Sequence, residues 1–249
     1  MKILLTNDDG INSDGIRILA EVLSSAHDVT VCAPDKERSC CSHSLTIYSK
    51  LTYKPYNKIT GVKAYQFSGT PADCVKFGID VIMKKEVDLV ISGINNMPNL
   101  GTDIIYSGTV NGALEGAICG VKSIALSLLF TDVSGYRFVS NFIAEKLDKL
   151  YSILTKDTIL NINFPDVSST FFKGAVFSKL GVQMYNDEYK MKITPDGEHY
   201  ILEGGRVENP ENADDCDVTL FEKGYATVTP LHIQMTDFDM YNRLKGTAL

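Results

Sequence analysis

Two adjacent aspartates follow the first apolar run of the chain. Residues 3–6 have the pattern of a buried strand, and Asp8 and Asp9 come directly after it, before the turn residue Gly10. Ligands of open α/β sheets bind at the carboxyl ends of the strands. Neighbouring carboxylates at such an edge raise each other's pKa unless a cation neutralises them. The segment predicts either a metal site or, as the simpler alternative, a solvated turn with an acidic cap for the next helix.

Polar side chains also follow two other predicted strands. Arg38 and Ser39 lie in the polar stretch after residue 33, and three asparagines follow the strand that ends at residue 92: Asn95, Asn96 and Asn99. We expect the three loops to meet at one edge of the sheet, where they would supply carboxylate, hydroxyl and amide oxygens. Ligand sets made only of oxygen suit Mg²⁺, Mn²⁺ or Ca²⁺ rather than zinc.

A third polar segment precedes a predicted helix. Ser107, Gly108 and Thr109 stand at the start of an apolar pattern with helical spacing. The first N–H groups of a helix have no acceptor within the helix and carry a partial positive charge, so such a start can bind phosphate. The alternative is that the serine or threonine only caps its helix.

An acidic metal site beside a phosphate-binding helix start is suited to the hydrolysis of a phosphate ester. A metal would hold the phosphoryl oxygens and lower the pKa of a bound water. Uncatalysed monoester hydrolysis is among the slowest reactions known, so charge stabilisation has to supply most of the barrier reduction. The sequence offers no Ser-His-Asp or Cys-His arrangement as another nucleophile system. It also lacks a G-x-G-x-x-G after the first strand, which argues against a dinucleotide-dependent oxidoreductase.

Composition excludes several broad classes of protein. The chain has 249 residues and a formal net charge of −7, which argues against binding a nucleic acid polymer. No apolar stretch approaches the ~20 residues that span a bilayer. The N-terminus lacks the features of a signal peptide, so we expect a cytoplasmic protein that does not bind membranes. The six cysteines show no paired spacing, so a zinc site or a disulfide framework is not expected.

The first two-thirds of the chain alternates strand and helix patterns, which predicts a mostly parallel, doubly wound α/β sheet. Strands are predicted at residues 3–6, 28–33, 44–48, 64–67, 88–92, 123–128 and 158–163. Helices are predicted to begin after Ser13, Thr70 and Ser107, and a long helix covers residues 138–154. Residues 93–101 are predicted as a loop.

After about residue 175 the pattern changes to short strand pairs, with a turn at residues 195–197. A short helix at residues 214–223, a strand at 225–230 and a tail complete the prediction. Exposed tyrosines on the strand pairs favour a subunit interface. The alternative is an ordinary β appendage.

A run of ordered motifs resembles the SurE family, the survival-protein-E-type 5′/3′-nucleotidases. The motifs are Asn7-Asp8-Asp9-Gly10 with Gly15, Pro34-Asp35, Arg38-Ser39, Ser44-Leu45-Thr46, Gly69-Thr70-Pro71 with Asp73-Cys74-Val75, Ser92-Gly93-Ile94-Asn95, Asn99-Leu100-Gly101-Thr102-Asp103, and Tyr106-Ser107-Gly108-Thr109-Val110. They cover roughly residues 1–165, and Thr229-Pro230-Leu231 continues the resemblance.

The resemblance implies a Rossmann-like fold and a metal-dependent phosphatase acting on nucleoside 5′- and 3′-monophosphates. It implies one domain over residues 1–249, in which residues 1–175 form the core with the active site. Residues 176–249 would form an extension that builds a homodimer or homotetramer. One Mg²⁺ or Mn²⁺ per subunit is implied, with Ca²⁺ as a third ion that the site would accept.

The resemblance also assigns roles to individual residues. The metal ligands would be Asp8, Asp9, Ser39 and Asn95. The catalytic residues would be Asp8, Asp9 and Asn96, with either aspartate assisting a metal-bound water. The phosphate group would be bound by Ser107, Gly108 and Thr109.

The chain departs from the family pattern at Cys40, Met97 and Asn111, which bears on substrate preference and turnover. These departures keep a non-enzymatic nucleotide-binding regulatory module as an alternative function. A haloacid-dehalogenase-like phosphatase is a second alternative, but that mechanism needs Asp-x-Asp after the first strand. The adjacent pair Asp8 and Asp9 counts against it.

Overall fold

The computed structural model describes residues 1–129, 132–167, 170–207 and 211–247. The strands in chain order are β1 (Lys2–Thr6), β2 (Asp28–Pro34), β3 (Tyr53–Pro55), β4 (Lys63–Phe67), β5 (Leu89–Asn95), β6 (Lys122–Leu128), β7 (Thr158–Phe164), β8 (Ala175–Phe177), β9 (Met184–Tyr185), β10 (Glu188–Thr194), β11 (Gly197–Glu203), β12 (Arg206–Val207) and β13 (Ala226–His232). The helices are α1 (Asp14–Leu23), α2 (Pro71–Phe77), α3 (Gly108–Ile118), α4 (Val133–Ile153), α5 (Asp217–Glu222) and α6 (Phe238–Leu244). A π-helical turn, Gly78–Ile82, continues α2, and a 3₁₀ turn, Gly101–Ile105, precedes α3.

Within the described residues, the central sheet has nine strands in the order β3-β4-β2-β1-β5-β6-β7-β13-β8. The six from β4 to β7 run parallel to one another. Strand β3 pairs antiparallel with β4, and β13 pairs antiparallel with β7 and parallel with β8. The predicted α/β fold with a mostly parallel sheet is confirmed.

Helices cover both faces of the sheet, as the alternation of side chains along β1 shows. Ile3 and Leu5 point into the larger core cluster with residues of α1 and α4. Leu4 points to the opposite face, where it packs with Cys74 and Val75 of α2. Because both faces of the central strands are buried, these strands are mostly apolar, and the polar loops lie at their ends.

Local signals in the sequence fix where two helices of this second face begin. Thr70 Oγ1 accepts the backbone N–H of Asp73 at 3.1 Å, and the Asp73 carboxylate accepts the N–H of Thr70 at 3.0 Å. Helix α2 thus starts with a reciprocal capping box, with Pro71 as its first residue. Ser107 Oγ accepts the N–H of Val110 at 3.1 Å and caps α3. Both predicted helix starts are confirmed.

Three local predictions were wrong. Residues 44–48 form no strand, because the N–H of Thr46 is bound by the Asp73 carboxylate at 3.0 Å rather than by a neighbouring strand. The antiparallel edge strand is β3 instead. Residues 93–95, predicted as loop, extend β5 through a register shift between Ser92 and Asn95. Part of the predicted tail forms α6.

The C-terminal extension contains the predicted hairpins. Strands β10 and β11 pair antiparallel, with residues 195 and 196 between Thr194 and Gly197. Every residue of β10 is exposed. Exposed apolar side chains of the hairpin and of α6 are Tyr189, Met191, Ile193, Tyr200, Ile201, Leu202, Phe238, Met240, Tyr241 and Leu244.

One buried carboxylate joins this extension to the core. Asp217 Oδ2 accepts the N–H of Gly101 at 2.9 Å. Its Oδ1 accepts the N–H groups of Gly181 and Val218 at 2.7 and 2.9 Å. Burial raises the pKa of Asp217, whereas these three backbone bonds lower it. The segment between β5 and α3 is therefore hydrogen-bonded to the C-terminal extension through Gly101.

No helix in the described ranges is both long enough and apolar enough to cross a membrane.

Candidate active site

The turn after β1 has a defined shape that presents Asp8 and Asp9. The Asn7 amide donates to Gly10 O at 3.0 Å and to Ser13 Oγ at 2.8 Å, which closes the turn. Gly10 has φ +90°, and a Cβ there would lie 3.0 Å from the carbonyl carbon of Lys36. The position requires glycine, because an L side chain rarely adopts this φ and would press on the backbone after β2.

Asp8 is oriented by the start of α3. It is buried, with 6% of its surface exposed. Its Oδ1 accepts the Thr109 hydroxyl at 2.5 Å and its Oδ2 accepts the Thr109 N–H at 3.1 Å. Burial raises the pKa of Asp8, and the two bonds from Thr109 lower it. A Cβ on Gly108 would lie 2.9 Å from Asp8 Cβ and 2.8 Å from Cys41 Sγ, so the contact needs glycine.

Asp9 has an oxygen that no group in the described part of the chain satisfies. Its Oδ2 is buried without a hydrogen-bond partner. Burial, then the charges of Asp8 and Glu37, raise the pKa of Asp9 to about 7, although the backbone N–H of Asn96 lowers it. A buried, unpaired carboxylate oxygen beside two other carboxylates is the environment that a cation would stabilise. The residues therefore fit a divalent cation.

The end of β5 reaches the same turn. The backbone N–H of Asn96 bonds Asp9, while the Asn96 side chain is exposed. The Asn95 amide group donates from Nδ2 to Met97 O at 2.6 Å, which leaves its Oδ1 as the atom that could ligate a cation. The structure therefore brings the loops after β1 and β5 together, as the sequence predicted.

The loop after β2 lies beside the site, but the Ser39 hydroxyl does not bond to Asp8 or Asp9. The N–H of Arg38 donates to Asp8 O at 2.7 Å, which ties the loop to the β1 turn. Ser39 is exposed, and its Oγ donates to Glu37 Oε1 at 2.5 Å rather than to either aspartate. The Arg38 guanidinium bonds Asp35 and Ser68 O.

Glu37 was missed by sequence reasoning, and so was the role of Asn99. Glu37 is a third carboxylate whose charge reaches both aspartates, and its place two residues before Ser39 was the available signal. Asn99 supports the fold instead of the metal site: it is buried, and its backbone and amide bond Asn163 and Ser127.

The start of α3 has few donors left for a ligand. The N–H of Val110 is taken by the Ser107 cap, and both donors of Thr109 go to Asp8. Within the described residues, this leaves the N–H of Gly108 and the Ser107 hydroxyl proton at the positive end of the helix.

No group of three or more His, Cys, Asp and Glu side chains that could hold a metal occurs in the described ranges. The candidate metal site therefore depends on Ser39 and Asn95 in addition to the two aspartates.

The raised pKa of Asp9 predicts how the stability of the metal-free protein depends on pH. An acid whose pKa is higher in the folded state than in the unfolded chain binds its proton more tightly when folded. The stability of the metal-free protein should therefore decrease as pH rises from 3.8 to about 7, and change no further through Asp9 above that. We expect Tm in EDTA to fall more between about pH 5 and about pH 8 for the wild type than for Asp9→Asn. An equal fall in both proteins would contradict this assignment.

The sequence matches the model of the family "Survival protein SurE" over residues 3–187. The chain belongs to the SurE family. Curated relatives of the family support the predicted nucleotidase class. A protein of Thermoanaerobacter sp. (strain X514) named 5′-nucleotidase SurE is 42% identical over 250 residues, covering 99% of this chain and 98% of the relative. One of Pseudothermotoga lettingae with the same name is 45% identical over 239 residues, covering 94% and 90%.

The fold agrees with that of a solved SurE structure. The crystal structure of the SurE protein from Aquifex aeolicus superposes with a TM-score of 0.82 at 36% identity, covering 98% of each chain. The extension is included in this overlap, since so little of either chain is left out.

Of the three residues predicted to depart from the family pattern, only Asn111 makes hydrogen bonds that fix the backbone. Asn111 is buried in α3, and its amide donates to Ser107 O at 2.8 Å and to Ile104 O at 3.1 Å, which fixes the turn before the helix. Cys40 is exposed with φ +52°. Met97 is 57% exposed beside Asn96. Neither Cys40 nor Met97 fills the space around the aspartates with a buried side chain.

Proposed function

We propose that this protein is a metal-dependent phosphomonoesterase that hydrolyses nucleoside 5′-monophosphates, and also 3′-monophosphates, to nucleoside and phosphate. The observation that carries the proposal is the unpaired, buried Oδ2 of Asp9, next to Asp8 and the start of α3. The names of the relatives support the same class of substrate.

One divalent ion per subunit, Mg²⁺ or Mn²⁺, would be held by Asp8, Asp9, Ser39 and Asn95. Such an ion supplies charge to the phosphoryl oxygens and lowers the pKa of a bound water. Ser39 would have to exchange its bond with Glu37 for the ion. The Asn95 side chain bonds Met97 O through Nδ2, so its Oδ1 would be available to the ion without breaking that bond.

The protein's own groups divide the remaining work. Ser107 and Gly108 would bind the phosphate through the hydroxyl and the backbone N–H at the positive end of α3. Thr109 acts on the phosphate site indirectly, because both of its donors orient Asp8. The exposed Asn96 amide lies at the rim, where it can donate to a phosphoryl oxygen.

Of the two carboxylates, Asp9 is better placed to take a proton from the attacking water. Both oxygens of Asp8 already accept bonds from Thr109, whereas Asp9 Oδ2 has no partner in the described residues. Asp8 then serves to hold negative charge in a fixed place. Because the same oxygen would also face the cation, Asp9 would act on a water beside that ion, and its charge would serve both roles.

The test is phosphate release from a panel of 5′- and 3′-nucleoside monophosphates with Mg²⁺, Mn²⁺ or EDTA. We expect release that requires the metal, is lost in EDTA and returns when metal is restored. No release by folded protein with either metal would contradict the proposal. Tight nucleotide binding without turnover would then support the regulatory module, and an acid-stable phosphoryl group on Asp8 would support the haloacid-dehalogenase-like alternative.

We also propose that the extension forms the contacts of a homodimer or homotetramer. The hairpin of β10 and β11 exposes apolar side chains that contribute to no core cluster of the described chain. Large exposed apolar surfaces of this kind are typical of subunit interfaces.

A further inference from the structure

A buried carboxylate in the middle of α3 has no place in the proposed chemistry. The Glu115 side chain is 3% exposed, and its Oε2 lies 2.6 Å from Nε2 of His43 while its Oε1 lies 3.0 Å from Nζ of Lys76. Burial raises the pKa of Glu115, but the bonds from His43 and Lys76 outweigh burial and lower it. Glu115 is therefore an ionised acceptor for both groups, more than one helical turn away from Thr109.

The two partners of Glu115 come from different parts of the fold. Lys76 belongs to α2 and is exposed, so it adds charge to a helix–helix contact. His43 belongs to the β2–β3 loop, residues 35–52, which also carries Ser39. The same carboxylate thus binds one rigid element and one irregular loop.

The β2–β3 loop is anchored on both sides of Ser39. Before Ser39, the N–H of Arg38 donates to Asp8 O at 2.7 Å. After Ser39, Ser42 donates from N to Tyr106 O at 3.0 Å and from Oγ to Ile105 O at 2.8 Å. The His43–Glu115 contact then fixes the next residue to α3. Ser39 therefore lies between one anchor on the β1 turn and another on the helix that orients Asp8.

The arrangement gives the pair a defined task. We propose that His43 and Glu115 are positioning residues that hold the β2–β3 loop against α3, so that Ser39 is within reach of the cation bound by Asp8 and Asp9. The inference rests on the proposed function in one respect, the assignment of Ser39 as a metal ligand. Groups that orient metal ligands contribute to metal affinity because they reduce the reorganisation that binding requires.

The experiment measures Mn²⁺ binding directly, by the loss of the free-ion EPR signal on titration of the full-length protein. His43→Ala should weaken Mn²⁺ binding about tenfold, the lower end of the loss seen when groups supporting metal ligands are removed. His43→Gln, which retains an N–H donor of similar reach, should restore affinity to within about threefold of the wild type. The KM for nucleoside monophosphate at saturating Mn²⁺ should stay unchanged in both variants.

Lys76→Met is the matched control. It removes the other partner of Glu115 and leaves the loop anchor in place, so Mn²⁺ affinity should equal that of the wild type. If His43→Ala does not fold because Glu115 keeps a buried charge with one partner fewer, the double variant His43→Ala with Glu115→Gln removes that charge. It should show the same tenfold loss.

Three results would overturn the inference while leaving the proposed function intact. They are Mn²⁺ binding by folded His43→Ala equal to that of the wild type, no restoration by His43→Gln, and an equal loss in Lys76→Met. Wild-type protein that binds Mn²⁺ but releases no phosphate would instead contradict the proposed function and leave the anchoring result to be judged on binding alone.

Discussion

Asp9→Asn is expected to lower kcat/KM for nucleoside monophosphates about 10³-fold, the upper range for losing one preorganised electrostatic group in an active site. The substitution keeps the shape of the side chain but removes its charge and its ability to accept a proton. Without metal, the variant should melt at the same temperature as the wild type or higher, because Asp9 is buried near Asp8 and Glu37. Phosphate release and thermal melting in EDTA measure the two effects.

The control for Asp9→Asn is Asp14→Asn. Asp14 is exposed in the first turn of α1 and pairs with Arg17 at the surface. It is an aspartate of the same segment whose carboxylate bonds Arg17 rather than a residue of the proposed site, so activity should not change. Turnover by folded Asp9→Asn within a factor of a few of the wild type would remove Asp9 from the mechanism.

Asp217→Asn is expected to reduce the free energy of unfolding by about 3 kcal/mol, since a fully buried acceptor of three backbone N–H groups becomes partly a donor. The new NH₂ group must then face either the N–H of Gly101 or the N–H groups of Gly181 and Val218. Urea denaturation of the metal-free protein at neutral pH measures the loss.

Asp215→Asn is the matched comparison for this stability effect. It is the same change two residues away, at an exposed carboxylate paired with Lys179 at 2.7 Å. Exposed ion pairs contribute little to stability because both charges stay solvated, so its loss should be well below that of Asp217→Asn. Equal losses would show that the buried bonds of Asp217 do not hold the extension to the core.

The parallel core was predictable because its central strands are buried on both faces and are followed by a turn or a cap. The irregular structure of residues 44–48 was not predictable in this way. Leu45 and Ile47 alternate with polar residues as in a strand, but both are exposed, and the backbone between them bonds the Asp73 carboxylate. The Asp73 carboxylate thus accepts the hydrogen bond that a neighbouring strand would otherwise accept. An alternating apolar and polar pattern predicts a strand only where such a neighbouring strand is present.

The candidate site was predictable at the level of which loops meet, and less so for side-chain contacts. Strand order places the turn after β1 beside the end of β5, and this follows from the α/β pattern. The bond between Ser39 and Glu37, and the capture of both Thr109 donors by Asp8, depend on side-chain rotamers in loops. Residue spacing carries no information about such choices.

The position of β13 has a consequence for how the protein is made. Although β13 is the last strand in the chain, it lies inside the sheet between β7 and β8 rather than at the edge. A ribosome must therefore synthesise almost the entire chain before the sheet can be completed. Until then β7 presents an unpaired edge of mostly apolar residues, which is a template for pairing with another nascent chain. The interval between synthesis of β7 and release of β13 is the period in which this protein needs protection from aggregation.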